Sequence, residues 1–278
     1  NSELAGIDGS KTSVVDRYGY TLPGYSSDIK AQEDGKTITL TIIKELQEQL
    51  ESSFLLTKET FNATELFGGI MEVSTGKILA LGQSPSFNPN LLDVTEFKNF
   101  ATQFIYEPGS TMKTFTYAAA IDSGVYNGDA TFNSSPFLVS LDKNGDPYRN
   151  LGSNALVIGT IRNAHNKSWG TITYNEGYAY SSNVGIASLL TNYLDLDTFQ
   201  EYLIRFGFNE SVNIYGLNEG IGNINFDWPY DKLTVGFGQG ITVNMMQLMQ
   251  AYTAIFNNGT MVKPYVVQSI SDPLTSEI

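Results

Sequence analysis

The chain has 278 residues, 41% of them hydrophobic and 16% charged, enough for one large domain or for one plus an appendage. A formal charge of −13 argues against nucleic acid as a partner, because phosphate contacts need clustered Lys and Arg. Zero cysteines and a single histidine exclude thiol chemistry and a Cys/His zinc site, and no apolar run approaches the ~18 residues of a membrane span.

Residues 1–35 are rich in Gly, Ser and Asp, and predict an extended arm or the tail of a preceding domain. Lys36 to Ile42 alternates as a strand, and Lys44 to Phe54 follows as a helix with Leu46, Leu50 and Phe54 on one side. Gly69 to Val73 and Lys77 to Leu81, joined through Ser74-Thr75-Gly76, predict a hairpin. A loop containing Pro85 and Pro89 leads out of it. After the Pro108-Gly109 turn, Thr111 to Ile121 reads as a nearly uncharged, small-residue helix ending near Gly124.

Asp129 to Ser168 is polar and reads as a surface excursion with short ordered pieces. Thr173 to Ala179 then leads into Tyr180-Ser181-Ser182-Asn183 and an apolar helix through Val184, Ile186, Leu189, Leu190 and Tyr193. Asp197 is the expected cap of another helix, with Phe199, Tyr202, Leu203 and Phe206 on one stripe and Gly207 as its stop. Thr242 or Asn244 opens a last helix through Met245 and Phe256, and Met261 to Ile270 reads as a final strand. Gly236-Phe237-Gly238-Gln239-Gly240 lacks the spacing and the lysine of a phosphate loop, and reads as a tight structural loop.

The candidate chemistry lies at Ser110 and Lys113, three residues apart and on one face at the start of a helix. A hydroxyl beside an amine forms a nucleophile and its base, provided the amine is neutral. The partial positive charge of a helix start lowers a lysine pKa and favours negative charge on the serine oxygen. Ser27/Lys30, Ser74/Lys77 and Ser140/Lys143 share the spacing, yet only Ser110 opens a helix of the kind that becomes buried. His165 sits in a polar stretch and reads as an ordinary exposed residue, so lysine is the natural base. Ser181-Ser182-Asn183 adds a Ser-x-Asn, a pattern also matched by Ser86/Asn88 and Ser211/Asn213.

Taken together, Tyr106-Glu107-Pro108-Gly109-Ser110-Thr111-Met112-Lys113, Tyr180-Ser181-Ser182-Asn183-Val184-Gly185 and Gly236-Phe237-Gly238-Gln239-Gly240-Ile241 resemble a penicillin-binding protein. The hairpin with its Ser74-Thr75-Gly76-Lys77 turn and the Pro85 to Asn90 loop resemble the same transpeptidase module. So does Leu40-Thr41-Ile42, although Ile43 stands where that family usually has a helix-capping Asp. The likeness covers roughly residues 36 to 270. It implies the fold shared with serine β-lactamases, an α+β architecture with a central antiparallel sheet flanked by helices. No Lys-Thr-Gly or Lys-Ser-Gly occurs in the sequence. The expectation is therefore a transpeptidase domain over residues 36–278 whose sheet is incomplete. The segment carrying that element should pair against the hairpin, and residues 1–35 should be the end of a class B member's pedestal domain.

The resemblance implies a peptidoglycan D,D-transpeptidase without cofactor or metal, acting on D-Ala-D-Ala stem peptides and acylated by β-lactams. It assigns Ser110 as nucleophile and Lys113 as general base, for which the lysine pKa must fall from ~10.4 to about 7, roughly 4 kcal/mol of environment. It gives Ser181 the relay of a proton toward the leaving amine, and Asn183 the hold on the substrate amide and on Lys113. It places the protein on the outer face of the cell membrane, with glycosyltransferase or divisome proteins as partners. A serine β-lactamase, a β-lactam sensor and a catalytically silent division scaffold are the rival readings.

Overall fold

Residues 2–24, 28–88, 90–91, 98–152 and 154–272 are described in a computed structural model of the chain. The N-terminal arm holds a short helix α1 (Ser2–Ala5) and an antiparallel pair, β1 (Ser10–Thr12) and β2 (Asp28–Lys30), with Lys11 opposite Ile29. Every residue of both strands is exposed, so backbone pairing rather than a core holds the arm. Glu3 fastens it to the rest: its carbonyl accepts the Lys36 N–H and its carboxylate pairs with Lys36 Nζ at 2.8 Å.

Strand β3 (Thr37–Leu40) leads into helix α2 (Lys44–Phe61), which continues about two turns beyond the predicted end at Phe54. The N-cap of α2 is Ile43, and no side chain caps its first-turn amides. Ile43→Asp should therefore raise stability by about 1 kcal/mol, the usual value of such a cap. Thermal denaturation reads this as a midpoint a few degrees higher, and a lower midpoint would show that Ile43's own contacts outweigh the cap.

Strands β4 (Leu66–Met71) and β5 (Ile78–Ser84) form the predicted hairpin, with Gly69 opposite Leu81. Its turn needs glycine at Gly76: φ is +81°, and a Cβ there would lie 2.2 Å from the Lys263 carbonyl oxygen. Helix α2 crosses the hairpin, with the Phe54 ring over Gly68 and Gly82. The Gln47 amide binds both the N–H and the C=O of Leu81 at 2.9 Å, so a side chain stands in for a neighbouring strand there. Among the described residues no strand pairs with the other edge of the hairpin, that of β4.

After the short helix α3 (Phe100–Gln103), a 3₁₀ turn at Gly109–Met112 runs directly into α4 (Lys113–Asp122), which Gly124 ends at φ +75°. Phe115, Thr116, Tyr117, Ala119 and Ala120 are all buried, which puts α4 in the middle of the main core. The stretch expected to be a surface excursion is instead part of that core. It holds β6 (Thr131–Asn133), β7 (Phe137–Leu141), β8 (Pro147–Arg149) and β9 (Gly159–Ile161), followed by β10 (Thr171–Thr173). Strands β8, β7 and β9 make a three-stranded sheet and β6 pairs with β10. Phe132, Phe137, Val139 and Ile161 from these strands are buried. Each strand is too short, and its flanking turns too polar, for the alternation to stand out in sequence.

Helices α5 (Tyr174–Ala179), α6 (Asn183–Asn192) and α7 (Leu196–Arg205) pack around α4. Helix α7 is capped by Asp195, whose Oδ2 accepts the Thr198 N–H at 2.9 Å; Asp197 lies within the first turn. Helix α8 (Pro229–Val235) has no counterpart in the sequence reading. Helix α9 (Met245–Phe256) is opened by Asn244 in a reciprocal capping box with Gln247. The final strand β11 (Val267–Ser271) is shorter than expected and pairs with β3. The residues before it run past the hairpin turn instead, where the Tyr265 carbonyl accepts the Ile78 N–H at 2.9 Å. The whole is mixed helix and antiparallel sheet, the α+β class expected.

Candidate active site

Gly109, at φ +58°, lets the chain turn sharply after Pro108 into the 3₁₀ turn. In a 3₁₀ turn residues three apart eclipse each other, so Ser110 and Lys113 meet on one side. Lys113 Nζ lies 3.1 Å from Ser110 Oγ. The serine is exposed, while the lysine is only 3% exposed among the core side chains. A hydroxyl open to solvent thus has an amine held directly behind it.

The loop at Gly236–Gly240 braces this turn from behind. The Gly109 N–H donates to the Gly238 carbonyl at 3.1 Å, and Glu107 Oε1 accepts the Gly240 N–H at 2.9 Å. Thr116 Oγ1 donates to the Gly236 carbonyl at 2.7 Å. At Gly238 φ is +82°, and a Cβ would lie 2.0 Å from the Gly109 oxygen. The close approach therefore needs glycine at 238, while Gly109 is needed for its positive φ. The tight-loop reading of this segment agrees with the structure, and Glu107 is a site residue the sequence reading passed over.

Ser181 approaches from the corner between α5 and α6. Its φ of +56° is left-handed, an arrangement costing about 1 kcal/mol or more for a residue with a side chain. That corner turns both Ser181 polar oxygens toward the lysine: Lys113 Nζ is 2.6 Å from the Ser181 carbonyl and 3.0 Å from its Oγ. A buried clamp holds the corner. Asn163 Oδ1 accepts from Ser182 Oγ at 2.8 Å and from the Val184 N–H at 3.1 Å, while its Nδ2 donates to the Ser134 and Lys167 carbonyls. Asn163 gave no sequence signal, because its partners come from segments far apart in the chain.

Burial holds the Lys113 amine at about 8, below its ordinary 10.5. The three hydrogen-bond partners of Nζ are uncharged, and among the described residues no ion pair offsets the desolvation. Roughly one such amine in ten is then neutral at pH 7. A neutral amine has a lone pair to accept the Ser110 proton, which makes the pair a nucleophile and its base.

Asn183 does not make the expected contact with Lys113 in this structure. Its Nδ2 donates to the Arg162 carbonyl at 3.0 Å, and it makes no hydrogen bond to Lys113, which Ser181 holds instead. The side chain is half-buried at the start of α6, beside Ser182. His165 is exposed on the loop that carries Asn163, as the sequence predicts. Ser74 lies in the exposed hairpin turn, and Ser140 is buried in β7 with Asn150 Nδ2 at 3.0 Å. Ser27 lies outside the described residues. A cavity of about 650 Å³ between α2, β5 and Lys98 is not lined by Ser110.

The family profile described as "Penicillin binding protein transpeptidase domain" matches residues 67–277. The chain is 26% identical to the penicillin-binding protein PbpB of Mycolicibacterium smegmatis over 97% of its own length and 40% of that protein's. It is 27% identical to the peptidoglycan D,D-transpeptidase FtsI of Escherichia coli strain K12, over 99% of this chain and 44% of that one. The crystal structure of penicillin binding protein 2X from Streptococcus thermophilus superposes with a TM-score of 0.77 at 29% identity, covering 98% of this chain and 38% of that one. The chain thus spans less than half the length of these relatives.

Proposed function

The chain belongs to the penicillin-binding protein transpeptidase family, and from that premise we propose that it is the acylating part of a class B peptidoglycan D,D-transpeptidase. The observation that carries the reading is the buried Lys113 amine, within hydrogen-bond reach of both Ser110 and Ser181. Ser110 Oγ attacks the carbonyl between the two D-alanines of a stem peptide. Its proton passes to Lys113 Nζ, the C–N bond breaks, and the departing D-alanine amine takes a proton through Ser181 Oγ. The Ser110 N–H is one donor to the developing oxyanion. An amine of a second stem peptide then attacks the ester, forming the cross-link and returning the proton to Ser110. Asn183 holds the substrate amide at the mouth of the site. A β-lactam acylates the same oxygen when its ring opens.

The sheet supports the domain reading. Among the described residues no strand covers the outer edge of β4, and Ile70 on it is exposed, as are Leu55, Leu56 and Phe61 on α2. Soluble proteins cover such edges and faces. Residues 36–278 are therefore part of a larger transpeptidase domain, in which further strands pair with β4 and supply the second oxyanion donor. Residues 1–35 are the end of a pedestal domain. Among the described residues no helix is long and apolar enough to cross a membrane. The site of action is the outer face of the cell membrane, where glycosyltransferase and division proteins are the partners.

One experiment separates this reading from its rivals: intact-mass measurement after exposure to penicillin, paired with an assay for D-alanine release from a stem peptide. A long-lived adduct with D-alanine release is expected. An adduct lost within seconds identifies a β-lactamase, and an adduct without release identifies a sensor. No adduct on this chain or on a longer one that includes the missing strands would end the reading.

A further inference from the structure

The geometry points to Tyr178 as a positioning residue that sets the separation between Lys113 and Ser181. This inference rests on the acylation reading above, and it concerns a residue in neither motif. Tyr178 touches both sides of the contact. Its carbonyl accepts the Ser181 N–H at 3.0 Å, which holds the left-handed corner. Its hydroxyl lies 3.1 Å from Thr114 Oγ1, on the residue that follows Lys113 in the chain. With the Lys113 to Ser181 bonds, these contacts close a circuit: Lys113 to Ser181, Ser181 to Tyr178, Tyr178 to Thr114, and Thr114 back to Lys113 through the backbone.

The circuit is braced on two sides. The Tyr178 ring packs edge-on against buried Tyr117, with centroids 4.8 Å apart, which fixes the direction of its hydroxyl. Tyr252 on α9 donates to the Thr111 carbonyl at 3.0 Å and reaches Thr114 Oγ1 at 3.4 Å, so Thr114 is held from the opposite side as well. Without the Tyr178 hydroxyl, α5 and the start of α4 lose their direct polar tie at this point. The corner carrying Ser181 is then free to draw back, and water gains access to the amine. Ser110 on its own turn and Ser181 on the facing corner are the polar groups that reach Lys113 among the described residues. Both are neutral, and solvent access is therefore what sets its protonation.

Tyr178→Phe keeps the ring and its packing and removes the bond to Thr114, whereas Thr114→Val keeps the volume but removes the 3.4 Å Tyr252 contact as well. Two readouts are needed. The first is the rate of acylation by penicillin, expected to fall about fivefold in each variant, the scale of one neutral hydrogen bond. The double variant should be no slower than Thr114→Val alone, because that change already removes the bond that Tyr178→Phe removes. The second is the titration of the Lys113 side chain by NMR with carbon-labelled lysine, its signal assigned by its loss in Lys113→Met. Its midpoint should move up from about 8 in both variants as water enters. An unmoved midpoint overturns the proposal whatever the rates do, since Tyr178 then acts on something other than Lys113. Unchanged rates overturn it too. If neither this chain nor a longer one takes penicillin, the transpeptidase reading fails by itself, and the titration alone decides the role of Tyr178.

Discussion

Ser110→Ala should abolish covalent labelling by penicillin while moving the thermal midpoint by no more than a degree or so. The loss is expected to be total because Lys113 Nζ stands behind the Ser110 hydroxyl at the start of α4, while the other hydroxyl the amine reaches, Ser181 Oγ at 3.0 Å, relays the proton in the proposed mechanism. Ser74 lies in an exposed turn, and Ser140 is enclosed in β7 against Asn150. Stability is spared because the serine is exposed, and its hydrogen bond to Lys113 is one of three that the amine makes. Surface substitutions of this kind usually stay within about 0.5 kcal/mol. Peptide mapping of the labelled parent chain is the check. A modified peptide containing Ser74 or Ser140, or labelling that survives in the alanine variant, would remove Ser110 from the mechanism.

Lys113→Met should cut the acylation rate by at least about a hundredfold, the scale for losing a general base. The parent rate should rise with pH and reach half its maximum near pH 8, where burial holds the amine, and the residual rate of the variant should lack that rise. Stability should respond with the opposite sign. The folded-state value of about 8 lies below the ordinary 10.5, so at neutral pH folding buries a charge that water would rather keep. Methionine of similar length removes that cost, which is at most roughly 3 kcal/mol at neutral pH before the lost hydrogen bonds are counted. The advantage of the variant should therefore be present below pH 8 and shrink as pH rises from about 8 toward 10.5. Chemical denaturation at pH 7 and pH 10 measures it. Near-parental acylation by the variant would show that another group takes the proton.

The features legible in the chain are those that a few consecutive residues decide. Ser110 and Lys113 meet because three residues span one turn, whatever surrounds them. The β4–β5 hairpin follows from Ser74-Thr75-Gly76 between two apolar runs, and the ends of α4 and α7 follow from Gly124 and Gly207. The cap of α7 is local as well. Asp195 rather than Asp197 caps α7, because the acceptor must stand three residues before the free amide of Thr198.

What the tertiary structure decided is everything that depends on which distant segments pack together. Ser181 stands 68 residues from Lys113, and only the left-handed corner after α5 brings its two oxygens to the amine. Asn163 clamps that corner, and Asn183 turns to Arg162 rather than to the lysine. Phe132, Phe137, Val139 and Ile161 join the core from strands too short to show a period. The lowered lysine pKa belongs to the same class, since its cause is desolvation and no residue desolvates itself. By itself the sequence determined that a serine and a lysine share one turn of a helix, because backbone geometry acts over a few residues. That the lysine is buried, uncharged in part and held between two serines was decided by the packing of α4 against α5, α6 and the Gly236–Gly240 loop, because burial is a property of neighbours.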